Sequence, residues 1–248
     1  MEFIKSVSNS RIKWVASLKQ TSSRAESNTF VAEGVRVVLD APKKPLELFI
    51  TKEHEDIGRE FEKFCPVYSV SREAFEKMSD TKSPQGVLGV FEKPDTTVKP
   101  PKCGNAIVLD GVSDPGNVGT IIRTAGATGF RDVYLINCAD CFAPKVVRSS
   151  MGGVFRTNLN VGTHEEVFSA LKEKNYTIYS LDMGGKDVFS EKTNKPCALV
   201  VGSEARGVSE FTRKNADGVL CLPMVDDTES LNAAVSACTA MYVINFSK

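Results

Sequence analysis

Apolar runs and amphipathic stretches alternate along the whole chain. In the first third, Asn9 to Lys19 carries Ile12, Val15, Ala16 and Leu18 at helical spacing among basic residues. Phe30-Val31-Ala32 reads as a strand and Gly34 to Ala41 as a helix. Leu46 to Thr51 is a second short strand, ended by a charged helical stretch to Phe64. Val67 to Val70 is a third strand. Ser71 then caps a helix to Met78, with Glu73 and Glu76 in its early turns. Gly86 to Phe91 is the last strand of this series, which forms an α/β sandwich with no catalytic constellation. Further on, apolar β-branched runs occur at Ala106–Leu109, Val133–Ile136, Thr177–Leu181, Ala198–Val201 and Gly218–Leu222. Helical stretches lie between them, and a final helix runs from Leu231 to about Phe246. Continuous apolar strands separated by helices predict a parallel sheet covered on both faces. Ligands in such sheets bind beyond the carboxyl ends of the strands, here the loops after Leu109, Leu181, Val201 and Leu222.

Between the two series lies Glu92 to Gly104, whose prolines (Pro94, Pro100, Pro101) and charges predict an extended spacer. The expected organisation is a substrate-binding domain over 1–93, a linker over 94–104 and a second domain over 105–248. With 42% apolar and 25% charged residues the composition is that of a globular protein. No apolar run approaches the ~20 residues that span a membrane, and Met1 to Lys5 has no signal-peptide character. The seven cysteines are scattered, mostly in apolar segments, as expected for reduced thiols in the cytoplasm. Cys138 and Cys141 form a lone C-x-x-C without a second pair or a nearby His, so neither a metal nor a redox site is expected. The formal net charge is zero, yet the first 24 residues carry Lys5, Arg11, Lys13, Lys19 and Arg24 against Glu2 alone. That basic end suits a polyanionic partner or a solvated helix face.

Three loops carry the candidate chemistry. After Leu222 the chain reads Pro223-Met224-Val225-Asp226-Asp227-Thr228-Glu229-Ser230-Leu231-Asn232 before an Ala-rich helix. Ser230 and Asn232 at a helix start, beside three carboxylates, form the floor of a small polar-ligand site or an ordinary Ser-capped helix. After Leu109, Asp110 to Ala125 is Gly-rich and holds Asn117 and Arg123 in the first turns of a helix. It is not a G-x-G-x-x-G or a G-K-[ST] loop, which leaves an unrelated nucleotide-binding α/β enzyme as a distant reading. Arg123, alone among small and apolar residues, serves either a ligand or a structural salt bridge. After Val201 come Gly202, Glu204 and Arg206, at the end of a buried strand where a cofactor could meet bare backbone, or as a charged turn.

Together these loops resemble the SpoU (TrmH) family of RNA 2'-O-ribose methyltransferases, in the SPOUT superfamily. Asn117, Gly119, Arg123, Thr124 and Ala125 match its first motif. Val201, Gly202, Glu204 and Gly207 match the second, and Pro223, Met224, Ser230, Leu231 and Asn232 the third. Asp140, Pro144, Lys145, Arg148, Ser149 and Gly152 resemble the connecting segment. The first domain is more loosely similar, through Ser6, Asn9, Glu33-Gly34 and Ser83-Pro84-Gln85-Gly86, to a substrate-binding domain that resembles a ribosomal RNA-binding protein. The resemblance implies an α/β protein whose C-terminal trefoil-knotted, parallel-sheet methyltransferase domain follows that small RNA-binding domain. It implies S-adenosylmethionine as cofactor, held near Gly202, Leu222, Met224 and Leu231, and a homodimer with its site near the interface. It also implies methyl transfer to a ribose 2'-hydroxyl, in ribosomal RNA rather than transfer RNA, with Lys5, Arg11, Lys13 and Arg148 meeting the RNA. Arg123, Asn117, Glu204, Ser230 and Asn232 would be the catalytic set. An arginine stays protonated, so Arg123 is expected to clamp phosphate and ribose electrostatically, with any base role shared by Glu204 or an RNA phosphate. Asp226 stands where the family usually has Gly, and Ala234 where many members have Ser. Asp226 alters the cofactor loop and keeps open a non-catalytic RNA-binding member of the same fold.

Overall fold

The computed structural model describes residues 1–102, 104–194, 196–225 and 231–246. The chain divides into two compact units, Met1–Pro94 with Phe142–Phe155, and Asp95–Cys141 with Arg156–Lys248.

In the first unit the elements are β1 (Glu2–Ile4), α1 (Ser10–Ser17), α2 (Thr21–Ser27), β2 (Thr29–Glu33), α3 (Val35–Leu39), β3 (Glu47–Ile50), α4 (Glu55–Phe61), β4 (Val67–Val70), α5 (Arg72–Met78) and β5 (Val87–Glu92). The sheet order is β1-β4-β3-β5-β2. β1, β4 and β3 run parallel, while β5 is antiparallel to both β3 and β2. Ile12 and Val15 of α1 and Leu18 at its C-terminal end are buried with Phe75 and Met78 of α5 against one face of the sheet. Each such side chain contributes roughly 1.5–3 kcal/mol. Val38 and Phe61 cover Leu48, Ile50 and Val67 on the other face. Ser71 caps α5 as expected, accepting from the Ala74 N–H at 3.2 Å.

The second unit contains β6 (Ala106–Asp110), α6 (Pro115–Thr128) and β7 (Asp132–Ile136). The chain next forms α7 (Pro144–Ser149), which belongs to the first unit, and returns for β8 (Asn158–Val161), α8 (His164–Glu173), β9 (Thr177–Asp187), β10 (Cys197–Gly202), α9 (Glu210–Asn215), β11 (Gly218–Cys221) and α10 (Ala233–Phe246). Its six strands are all parallel, in the order β11-β9-β10-β6-β7-β8. The chain builds outward from β6 through β7 to β8, then crosses to the other side for β9, β10 and β11. β6 and β10 are therefore neighbours at the reversal, the place where such sheets bind ligands.

Several sequence expectations change. β1 and β8 were not anticipated, and β9 runs on to Asp187. The spacer is extended but not free. The Thr96 carbonyl accepts from Val161 N–H at 2.8 Å, and the backbone of Lys99 and Lys102 donates to Asn160 and Asp132 at 3.1 and 3.0 Å. Residues 142–155, expected in the second domain, pack in the first unit. The ring of Phe142 lies 4.9 Å from that of Phe30, and that of Phe155 lies 4.8 Å from that of Phe91. No helix among the described residues is long and apolar enough to cross a membrane.

Candidate active site

Asp114 caps α6, accepting from the Asn117 N–H at 2.9 Å, with Pro115 at the first helical position where no N–H is missed. The cap fixes Asn117 one turn inside the helix. Its side-chain N–H donates to Glu204 in the loop after β10. Its side-chain oxygen accepts from Asn232 Nδ2 at 3.2 Å. Asn232 in turn caps α10, accepting from the N–H groups of Ala234 and Val235 at 3.0 and 3.2 Å. Of the two polar residues expected at this helix start, Asn232 is seen to cap it. Ser230 and Asp226 lie outside the described residues. One hydrogen-bond chain, Glu204–Asn117–Asn232, thus joins the three sequence motifs. Glu204 and Asn232 are exposed, where such contacts add little stability.

Beside this chain a cleft of about 250 Å³ opens beyond β9, β10 and β11. All four residues expected to hold a cofactor, Gly202, Leu222, Met224 and Leu231, line it, as does Glu204. Gly202 has a further reason to be glycine. A Cβ there would overlap the backbone of Gly207 and Val208, because Ser203 and Gly207 exchange N–H to carbonyl bonds of 3.0 and 2.8 Å across the loop. The bare backbone is first a condition of the turn. Arg206, named with Gly202 and Glu204 from the sequence, also lines the cleft; Asp182, Arg213 and Ser236 line it without being singled out, although the loop after Leu181 was. The ion pair between Arg213 and Asp182, 3.1 Å long, ties α9 to the middle of β9. An apolar wall, a narrow backbone turn and balanced charges, Asp182 and Glu204 against Arg206 and Arg213, suit a ligand with an apolar part and charged groups of both signs.

Arg123 lies six residues beyond Asn117 on α6, about 9 Å along and ~240° around the helix. It is exposed and, among the described residues, has no acidic partner, which sets aside the structural salt bridge within that set. Behind the cleft the buried Asp110 ends β6. It accepts from Ser209 N–H at 2.8 Å and Thr212 Oγ1 at 2.7 Å, and it lies 2.9 Å from His164 Nε2. Burial pushes its carboxyl upward, but the hydrogen bonds from Ser209, Thr212 and His164 outweigh this and leave it below the usual aspartate value. This cluster fastens the Gly202–Ser209 loop to the strand that precedes the Asn117 loop. Burial raises the Cys138 thiol to about 11, so it stays protonated at neutral pH.

In the first unit the four residues expected to meet RNA fare differently. Lys5 and Lys13 are exposed. Arg11 is engaged, paired with Glu47 and lying 4.5 Å above the Tyr68 ring, and Glu47 holds it charged. Arg148 on α7 is 3.6 Å from Asp80 and lines a cavity of about 390 Å³ with Glu33, Gly34, Ser83 and Gln85. The basic end is weaker than its count suggests. Arg24 is buried, donating to the carbonyls of Leu18 and Lys19 at 2.8 Å each.

Comparison with known proteins bears on both units. Residues 104–242 match the SpoU rRNA methylase family, and residues 9–89 match the MRM3-like substrate binding domain. The chain is 30% identical to the 23S rRNA (guanosine(2553)-2'-O)-methyltransferase RlmP of Bacillus subtilis (strain 168), over 98% of each chain. It is 27% identical to the mitochondrial rRNA methyltransferase 3 of Xenopus tropicalis, over 66% of this chain and 55% of that one. Among solved structures, the AdoMet-bound rRNA methyltransferase from Sinorhizobium meliloti superposes with a TM-score of 0.88 at 26% identity, covering 98% of this chain and 97% of that one. A TrmH-family protein from Porphyromonas gingivalis gives 0.84 at 28% identity, covering 96% and 98%.

Proposed function

The chain belongs to the SpoU rRNA methylase family, and from that premise we propose that it transfers a methyl group from S-adenosylmethionine to a ribose 2'-hydroxyl of ribosomal RNA. The observation that carries this is the Glu204–Asn117–Asn232 chain standing at the rim of the cleft lined by Gly202, Leu222, Met224 and Leu231. The cofactor, when bound, supplies an electrophilic methyl group on a sulfonium. Leu222, Leu231 and the backbone near Gly202 would hold it. Asn117 and Asn232 orient the ribose hydroxyl, with Ser230 completing the set by its place in the motif. The hydroxyl oxygen would take the methyl group as its bond to sulfur breaks, leaving a neutral thioether, while the hydroxyl proton passes to Glu204 or an RNA phosphate. An arginine side chain is a poor general base, so the role assigned to Arg123 is electrostatic. Its fixed charge clamps phosphate and ribose and lowers the hydroxyl's pKa. Ribosomal RNA is favoured over transfer RNA because the full-length relative from Bacillus subtilis is named for it.

Two structural parts of the reading go with this. The trefoil knot at the C-terminal end follows from family membership and suits an all-parallel sheet whose order reverses at β6 and β10. A homodimer is supported by α10, on which Val235, Tyr242 and Phe246 are more than half exposed along one face. A cytoplasmic location fits a ribosomal substrate. The test is Arg123→Ala, assayed with S-adenosylmethionine and a 23S rRNA transcript. Cofactor affinity by calorimetry is expected to persist while turnover falls by at least about a hundredfold. Retained turnover overturns the assignment of Arg123. Absence of cofactor binding in the wild type favours a non-catalytic RNA-binding member instead.

A further inference from the structure

One cleft at the strand ends lies in the first unit, outside the methyltransferase motifs. β1, β4 and β3 run parallel in register, with Ile4 beside Val70 and Ile50 beside Ser69, so the three strands end together. Beyond those ends is a cleft of about 550 Å³. Phe3 lines it and is 62% exposed, on a strand of only three residues. An aromatic ring left this open on an edge strand is a liability unless something covers it. The rim carries a net positive charge: Lys52, Arg72 and Lys82 line the cleft and are exposed, against the exposed Glu53 and Glu76. Arg72 pairs with Glu76 at 3.1 Å, whereas Lys52 and Lys82 have no acidic partner among the described residues.

The far wall is built rigidly. Gly86 sits at φ +76°, and a Cβ there would come within 2.9 Å of His54 Cδ2. Thr51 N–H donates to the Gly86 carbonyl at 2.9 Å, and His54 Nε2 lies 2.8 Å from the Gln85 carbonyl oxygen. These contacts pin the loop before β5 against the loop after β3. They hold Lys82 and Lys52 on one rim.

We propose that this cleft takes an unpaired nucleotide of the RNA substrate, its base stacked on Phe3 and its flanking phosphates met by Lys52 and Lys82. An aromatic platform inside a cationic rim is the pattern that binds single-stranded RNA, because every base has a face to stack and every linkage a charge to neutralise. The inference rests on the reading of the chain as an RNA methyltransferase. It places a second point of grip in the first unit, remote in sequence from the three motifs, so its loss weakens RNA binding and leaves the chemistry of bound RNA intact.

The test uses the full chain and a 23S rRNA transcript. Phe3→Ala and Phe3→Leu are expected to raise the KM for RNA by about tenfold or more, with kcat and S-adenosylmethionine affinity unchanged, and Phe3→Trp to restore it. The paired change Lys52→Ala with Lys82→Ala is expected to lower the salt slope of transcript binding by about 1.4, at ~0.7 for each lost single-strand phosphate contact. A wild-type KM in Phe3→Ala, or full function in Phe3→Leu, overturns the stacking role. Transcript binding by fluorescence anisotropy, without cofactor, separates the two readings. Binding that depends on Phe3 without methyl transfer sinks the functional reading alone. Transfer and binding that both ignore Phe3 sink this inference alone.

Discussion

Asp110 shows how one buried side chain can organise a site it does not touch. Its carboxylate collects donors from Ser209 and Thr212 and sits beside His164, so α8, α9 and the loop after β10 are all referred to the end of β6. Removing it strands the buried Thr212 hydroxyl and the Ser209 N–H. Asp110→Ala is therefore expected to cost about 1–3 kcal/mol, read as a melting temperature lower by roughly 2–4 °C per kcal/mol in a chain of this size. The depressed carboxyl fixes the sign of the pH dependence. The contribution is complete above the usual aspartate value of 3.8 and is lost as pH falls through the lower folded value. The gap in melting temperature between wild type and Asp110→Ala should narrow in that acid range, and a gap that stays constant there contradicts the carboxylate's role. Nothing in the sequence pattern singles out Asp110, because its importance lies in partners some 54 to 102 residues away. Asn117, Glu204 and Asn232 could be found, because their motifs are local even though their contact is not.

At the scale of elements, long periodic stretches were legible and short polar ones were not. Val67–Val70 stands where its apolar run placed it. β1 has three residues, and β8 alternates asparagine with leucine and valine, so neither carries a continuous apolar signal. The apolar pattern starts the last helix at Leu231, but α10 begins at Ala233, with Asn232 as its cap and also reaching Asn117. α10 is apolar nearly all round, which requires cover on more than one side. Ala233, Ala237, Ala240, Met241 and Ile244 are buried within the unit, and Cys238 Sγ meets Thr124 Oγ1 of α6 at 3.0 Å. Val235, Tyr242 and Phe246, at intervals of seven and four residues, share another face and remain open. A second copy is the cover the family reading supplies. Tyr242→Glu with Val235→Glu should therefore convert a dimer to a monomer in sedimentation equilibrium while leaving the far-ultraviolet dichroism unchanged. A wild type that sediments as a monomer refutes the dimer outright.

At the scale of the molecule, the sequence order of domains and the grouping of structure part company at one place. Phe142–Phe155 lies in the chain between β7 and β8 but packs with Phe30 and Phe91. No local pattern announces this, since the aromatic partners are more than fifty residues apart. It puts Arg148 beside Glu33 and Gln85, residues quoted from the other end of the sequence. The second unit keeps a simpler logic, in which a parallel sheet reversing between β6 and β10 brings the loops of the first two motifs together and the α10 cap closes on them. The central claim is that this convergence methylates a ribose oxygen. A methylated 2'-oxygen cannot attack the neighbouring phosphate, so its linkage survives alkali. The direct measurement is to incubate the protein with 23S rRNA transcript and methyl-labelled S-adenosylmethionine, then hydrolyse the RNA in alkali. The account predicts label in an alkali-resistant dinucleotide, absent with Arg123→Ala. Label recovered in mononucleotides, as methylation on a base would give, contradicts it.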